Sequence, residues 1–251
     1  ALEKTTKIIH IDIDPAEIGK NIGADLPLVG DAKLVLQQMT ELAKPMKHDE
    51  WIAHIKTLGG ERKYVEPAKG TVNPRVFIDR LAKKMPANVT VVADVGQNQI
   101  WTCTEYKFRK EGRLLTSGGM GTMGYSVPAA IGAKMADNSR ATVAICGDGA
   151  FQMSFMELAT AVQFGVDIKV VVMTNNRLGM VRELQTNGYH DRQTAVFLDG
   201  SPDFIKLAEA YGIPAMRVYD DDTMEKGVEM LAEHKGICLV EVVVDKDMPT
   251  L

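Results

Sequence analysis

Two apolar runs stand out in the hydrophobic pattern, Ala141-Thr-Val-Ala-Ile-Cys146 and Ile168-Lys-Val-Val-Val-Met-Thr174. Each is short, rich in β-branched residues and bounded by glycine or polar residues, which predicts buried strands. Between them, Phe151 to Gly165 carries apolar residues at helical spacing, so the unit reads strand, helix, strand, with the strands parallel. The same alternation predicts a strand from Val89 to Ala93 and helices from Asn98 to Tyr106 and from Tyr125 to Ala136. Helices from Asp203 to Tyr211 and Asp222 to His234 and a strand from Ile237 to Val244 follow. The expected fold class is α/β, a parallel sheet with helices on both faces.

Upstream, Lys7 to Ile13 predicts a strand, Asp31 caps a helix to about Ala43, and a second helix runs from Asp49 to Leu58. Gly59 to Gly70 is polar, aperiodic and punctuated by Gly and Pro, which reads as a linker; Asn73 then caps a helix with Pro74 in its first turn. The expected organisation is residues 1–58 as the tail of a preceding domain, 59–72 as linker and 73–251 as the main domain. A strand this close to the first residue needs partners for its backbone groups, so the chain is expected to begin inside a larger protein.

Asp148 and Asn175 each follow an apolar run, so parallel strands bring both to the sheet edge where open α/β folds bind ligands. Strand ends about 4.8 Å apart can offer one carboxylate and one amide oxygen to a hard cation with ligand distances of about 2.1 Å. In Gly147-Asp-Gly-Ala150 the glycines permit a tight turn, and a helix starting near Phe151 aims free N–H groups at an anion such as a diphosphate. A competing motif is Gly119-Met-Gly-Thr-Met-Gly124, which fits the dinucleotide fingerprint. The run before it, Arg113 to Thr116, is short and polar-ended, unlike a first Rossmann strand.

Composition narrows the function classes. With 251 residues, 45% apolar and 25% charged, the chain is long enough for one good domain plus an appendage. A net charge of −4 without a basic stripe argues against nucleic acid, and no run is long and apolar enough for a membrane span. Cys103, Cys146 and Cys238 lack C-x-x-C spacing, which suits a reducing compartment; with no secretory signal pattern, a cytoplasmic location is expected. The five histidines show no ligand pairing. Met120, Met153 and Met156 read as core filler, and Trp101 and Phe155 as packing residues.

The Gly147-Asp-Gly149 to Asn175-Asn176 pattern resembles the thiamine diphosphate signature. With Asp94-Val-Gly-Gln-Asn-Gln-Ile-Trp101, Thr116 to Tyr125, Pro128-Ala-Ala-Ile-Gly132 and Gly179-Met-Val181, the chain resembles the acetolactate (acetohydroxyacid) synthase large subunits from His10 to about Val244. The resemblance implies decarboxylation of pyruvate and carboligation to a second 2-keto acid in branched-chain amino acid biosynthesis. Mg²⁺ would be held by side-chain oxygens of Asp148 and Asn175 and the carbonyl of Arg177. The cofactor's diphosphate would lie on Val95, Gly96, Gln97, Asn98, Gly147, Gly149 and Ala150, with Met180 beside it; members often carry histidine where Asn98 stands. Gly121 would accept from the cofactor's amine, and Met123 would wedge beneath its bend. Biosynthetic members commonly carry tryptophan where Leu184 stands, which implies weak preference for 2-ketobutyrate here.

His10 to Lys20 resembles the end of the family's central, Rossmann-like domain, which holds FAD in many members. The resemblance also implies a homodimer or tetramer and, in some members, a small regulatory subunit. The activating glutamate comes from a partner's N-terminal domain, so no catalytic residue is expected in this chain and the fragment alone is expected to be inactive. Pyruvate oxidase, glyoxylate carboligase and a cofactor-binding module without turnover are the near alternatives; a dinucleotide oxidoreductase is the distant one.

Overall fold

The computed structural model describes residues 6–58 and 64–250. They fall into two compact units, 1–62 and 63–251; residues 59–63 of the expected linker lie outside the described residues. In the first unit β1 (Ile9–Asp12) pairs in parallel with β2 (Leu26–Val29), followed by α1 (Ala32–Leu42) and α2 (Asp49–Leu58). Asp31 caps α1 by accepting from the N–H of Leu34 at 3.0 Å. Two strands and two helices do not close a core, and none of the unit's described residues is buried.

The second unit holds α3 (Pro74–Lys84), β3 (Thr90–Ala93), α4 (Gln97–Glu105), β4 (Arg113–Thr116), α5 (Ser126–Ala136) and β5 (Thr142–Gly147). It continues with α6 (Asp148–Gln152), α7 (Leu158–Gln163), β6 (Lys169–Thr174), α8 (Gly179–Gly188), α9 (Phe204–Ala210), β7 (Ala215–Val218), α10 (Asp221–Glu233) and β8 (Cys238–Val243). The strands form one sheet in the order β4-β3-β5-β6-β8-β7, all neighbours parallel.

Strand periodicity divides the core in two. Val91, Ile145, Val171 and Val240 face α3, α4 and α10 through Phe77, Trp101 and Leu231. Their sequence neighbours Val92, Cys146, Val172 and Leu239 face α5, α6, α7 and α9 through Ile131, Phe151, Leu158 and Phe204. Burial on both faces explains why these strands read as continuous apolar runs. The crossovers that step toward β7 (through α5, α7 and α9) use one face, and those that step back (through α4 and α10) use the other. All therefore share one hand, as parallel sheets require.

Several expectations are corrected. The helix expected from Phe151 to Gly165 begins at Asp148 and is broken: α6 ends at Gln152, Phe155–Glu157 forms a 3₁₀ turn, and α7 starts at Leu158. Met120, Met153 and Met156 are not core filler, being 91%, 57% and 56% exposed. Trp101 is buried and Phe155 packs on the second core, as expected. The strands β2 and β7 and the helix α8 were not foreseen. The dinucleotide fingerprint follows β4, but β4 is an edge strand and β3 separates it from the next strand in the chain, β5.

Gly227 marks the closest approach of α10 to the sheet: a Cβ there would lie 2.6 Å from Cγ2 of Val218 and 3.2 Å from Cγ1 of Val240. Gly→Ala gains about 1 kcal/mol of helix propensity, whereas overpacking against stiff valines costs roughly 1–3 kcal/mol. We expect Gly227→Ala to lower the melting temperature and Val218→Ala, added to it, to recover part of the loss in thermal denaturation.

Candidate functional site

The chain runs outward from β3 to β4, then returns to place β5 on the other side of β3, so the switch point lies between β3 and β5. Ligands bind at such crevices. Here a cleft is lined by the residues that follow β3, β5 and β6.

Asp148 begins α6 and is 1% exposed. Its Oδ1 accepts from the N–H of Gly149 at 2.8 Å, and its Oδ2 accepts from the N–H groups of Asn175 at 3.1 Å and Asn176 at 2.7 Å. The carboxylate thus ties the end of β5 to the turn after β6. Burial pushes its pKa up to about 6 despite these three bonds, and Glu241 adds a smaller push. Among the described residues it forms no salt bridge, which leaves a desolvated negative charge beside the cleft. Asn175 offers Oδ1, which accepts from the N–H of Arg177 at 3.1 Å. The Arg177 side chain is engaged with Asp199 at 2.7 Å and lies over the ring of Phe197.

Across the cleft, Gly96 adopts φ 140°, a conformation open to glycine, and starts α4 without a side-chain cap. Free N–H groups of that first turn and the backbone at Gly149 and Ala150 border the same space. Gly149 allows close packing, since a Cβ would fall 2.7 Å from Cδ2 of Leu178. Asn98 is buried, and its Nδ2 donates to the carbonyls of Asp94 at 2.8 Å and Ile145 at 3.2 Å, bridging the ends of β3 and β5. The side chain of Gln97 turns toward Asn175, whose Nδ2 donates to its Oε1 at 3.2 Å.

The cleft therefore gathers Val95, Gly96, Gln97 and Asn98 from one loop, and Gly147, Asp148, Gly149 and Ala150 from a second. Asn175, Arg177 and Met180 come from a third, and Met123 from the loop before α5. Gly121 and Leu184 stand apart. Gly121 sits at φ 64° in an exposed turn with its N–H on the carbonyl of Ser117 at 3.1 Å, and Leu184 is 60% exposed on α8. Among the described residues no three His, Cys, Asp or Glu side chains cluster as a metal site; the cleft's lining holds one carboxylate, Asp148, with the amide of Asn175 beside it.

Sequence reasoning missed the part played by Asp94. It is fully buried and accepts from the N–H groups of Val95 at 2.8 Å, Gly124 at 3.0 Å and Ser126 at 2.7 Å. It thereby pins the loop carrying Met123 to the end of β3. The available signal was an acid ending an apolar strand just before a glycine turn, the same arrangement as at Asp148.

Residues 94–242 match the thiamine pyrophosphate enzyme C-terminal TPP binding domain, and residues 1–39 match the central domain of the same enzymes. Among curated proteins, the acetolactate synthase large subunit of Lactococcus lactis subsp. lactis is 36% identical over 245 residues, 97% of this chain and 42% of the relative. The probable acetolactate synthase large subunit of Methanocaldococcus jannaschii is 38% identical over 250 residues, 95% of this chain and 42% of the relative. The acetolactate synthase of Mycobacterium leprae is 40% identical over 254 residues, covering 95% and 40%. The chain spans about two fifths of the length of these relatives. With its six-stranded parallel sheet and a match covering more than half its residues, the chain belongs to the thiamine pyrophosphate enzymes.

Proposed function

We propose that the chain is part of the catalytic subunit of an acetolactate synthase, and that its cleft holds thiamine diphosphate through Mg²⁺. The observation that carries the reading is the buried Asp148 carboxylate, held by backbone N–H groups but paired with no cation among the described residues, beside Asn175 on the adjoining strand end. Asp148 and Asn175 would supply side-chain oxygens and Arg177 its carbonyl; the free N–H groups at the start of α4 and the backbone near Ala150 would take the diphosphate. When bound, the cofactor supplies the carbon nucleophile that adds to the keto group of pyruvate.

The protein's own share is placement. Met123, which would be the wedge beneath the cofactor's bend, lines the cleft from the loop that Asp94 pins, its Cε 3.4 Å from where a Cβ on Gly149 would be. Asp148 is the one acid among the described lining residues, and three N–H bonds occupy it. The resemblance implies that the glutamate that would activate the cofactor comes from a partner subunit's N-terminal domain. A homodimer or tetramer, FAD on the central domain, a regulatory subunit and a cytoplasmic location extend the same reading.

For the full-length protein, Mg²⁺ with thiamine diphosphate should raise the melting temperature, by the equivalent of about 2.7 kcal/mol at a hundred times Kd, whereas NAD(P) should not. A shift with NAD(P) alone would overturn the reading.

Asp148→Ala should abolish cofactor binding while the fold is retained, a larger loss than the roughly 10–100-fold seen for supporting groups. Asn175→Ala should be milder. Calorimetry showing wild-type affinity in folded Asp148→Ala would refute the metal assignment.

Leu184 lies one turn beyond Met180 on α8, exposed and outside the residues that line the cleft. A leucine offers less contact to an acceptor's extra methyl than an indole, and one methylene is worth about 1–3 kcal/mol in a fitted pocket. We expect weak preference for 2-ketobutyrate over pyruvate, rising about tenfold in Leu184→Trp, measured by competition between the two acceptors.

A further inference from the structure

Asn175 can serve a cation only if its amide faces the right way. Oδ1 is a ligand for a hard cation, whereas the NH₂ of the same amide repels one, and the two ends are nearly alike in shape. Two neighbours set the choice: the N–H of Arg177 holds Oδ1 at 3.1 Å, and Gln97 is placed to hold the NH₂ end.

Gln97 is 4% exposed. Its Nε2 faces three acceptors: Oε2 of Glu183 at 3.1 Å, the carbonyl of Met248 at 3.0 Å and Oγ1 of Thr250 at 3.1 Å. The Thr250 hydroxyl is itself spent on Glu183, whose other oxygen accepts from the N–H of Thr250 at 3.1 Å. An Oε1 on that side would meet only acceptors, so the Gln97 amide has one satisfied orientation. Oε1 then points the other way and accepts from Nδ2 of Asn175 at 3.2 Å. That turns the Asn175 NH₂ toward Gln97 and leaves Oδ1 on the Arg177 N–H. Gly179 makes room for the relay, since a Cβ there would stand 1.9 Å from Oε1 of Gln97.

We propose that Gln97 is a positioning residue for the metal site. It transmits the polarity of Glu183 and the Met248–Thr250 segment to the Asn175 amide, so that oxygen rather than NH₂ meets the cation. The proposal rests on the Mg²⁺-diphosphate reading given above. It makes α8 and residues 248–250 part of the support of a metal ligand to which neither is bonded.

The test is a Mn²⁺ titration of the full-length protein with saturating thiamine diphosphate, free Mn²⁺ being read by electron paramagnetic resonance. Gln97→Met keeps the side chain's length and removes the amide. It should weaken Mn²⁺ binding about tenfold, the scale on which groups supporting a ligand act. In an Asn175→Ala background the same change should add no further loss, because the amide it orients is gone. Wild-type affinity in Gln97→Met, or an equal loss in both backgrounds, would overturn the proposal. Should Gln97→Met fail to fold, Thr250→Val replaces it: weaker binding there with retention in Thr250→Ser supports the relay, and equal binding in both overturns it. A wild-type protein that binds no Mn²⁺ with the cofactor overturns the relay and the functional reading together, whereas wild-type binding with indifferent variants overturns the relay alone.

Discussion

A carboxylate that has lost nearly all its water must be satisfied by something else, and Asp148 is satisfied by peptide N–H groups drawn from both sides of a strand gap. The bonds to Asn175 and Asn176 fix the turn after β6, including Asn176 at φ 52°, a left-handed conformation that asparagine adopts more readily than other residues with a Cβ. The three dipoles do not restore full hydration, so burial still holds the carboxyl's pKa up at about 6. Below that pH a proton can neutralise the group, and above it the charge is present. The geometry of the turn and the chemistry of the cleft thus come from one desolvated side chain.

Asp94 repeats the device on the neighbouring strand. Its three N–H bonds hold the start of α5 and the loop that delivers Met123. Gly124 belongs to that anchor: its φ is 82°, and a Cβ would press within 3.0 Å of Met153. Asn98 joins the carbonyls of Asp94 and Ile145 across the gap between the two carboxylates. The floor of the cleft is therefore braced from three loops, and its geometry depends less on the loops' own preferences than on two buried acids and one amide.

This division explains what could be read from the sequence. Strand ends at Asp148 and Asn175 were legible because β5 and β6 are buried on both faces and appear as unbroken apolar runs. The caps Asp31 and Asn73 were legible because capping depends on local bonds, seen at Leu34, Arg75 and Val76. The helix α8 was not, because only Arg182 along it is buried and both ends are glycine, so no apolar stripe announces it. The strand β7 is a half-buried edge of four residues with an exposed Arg217 inside it. The long helix expected after Asp148 failed because Met153 and Met156 match a helical period in sequence yet face solvent, where periodicity carries no packing information. Gln97's partners at Glu183 and Thr250 lie 86 and 153 residues away, a separation no local pattern reports.

The two edges of the sheet are chemically opposite, and the reason lies in helix polarity. At the carboxyl ends of parallel strands the chain enters helices, whose first N–H groups lack partners; at the amino ends it leaves helices, whose last carbonyls lack them. Acids suit the first edge and cations the second. Asp94 and Asp148 accept N–H groups at one edge. At the other, buried Lys169 donates to the carbonyls of His234 and Gly236, Lys134 donates to those of Asn138 and Arg140, and Arg140 reaches toward Val89 and Glu111. Arg182 is a buried cation on the cleft side, and Asp247 stands 3.5 Å from it. The cationic edge has its donors already spent within the fold, on backbone carbonyls and on the side chains of Asp167 and Thr90. Among the described residues the acidic edge keeps free N–H groups at α4 and a buried carboxylate at Asp148 that no cation pairs with, so the two edges offer a ligand opposite electrostatics.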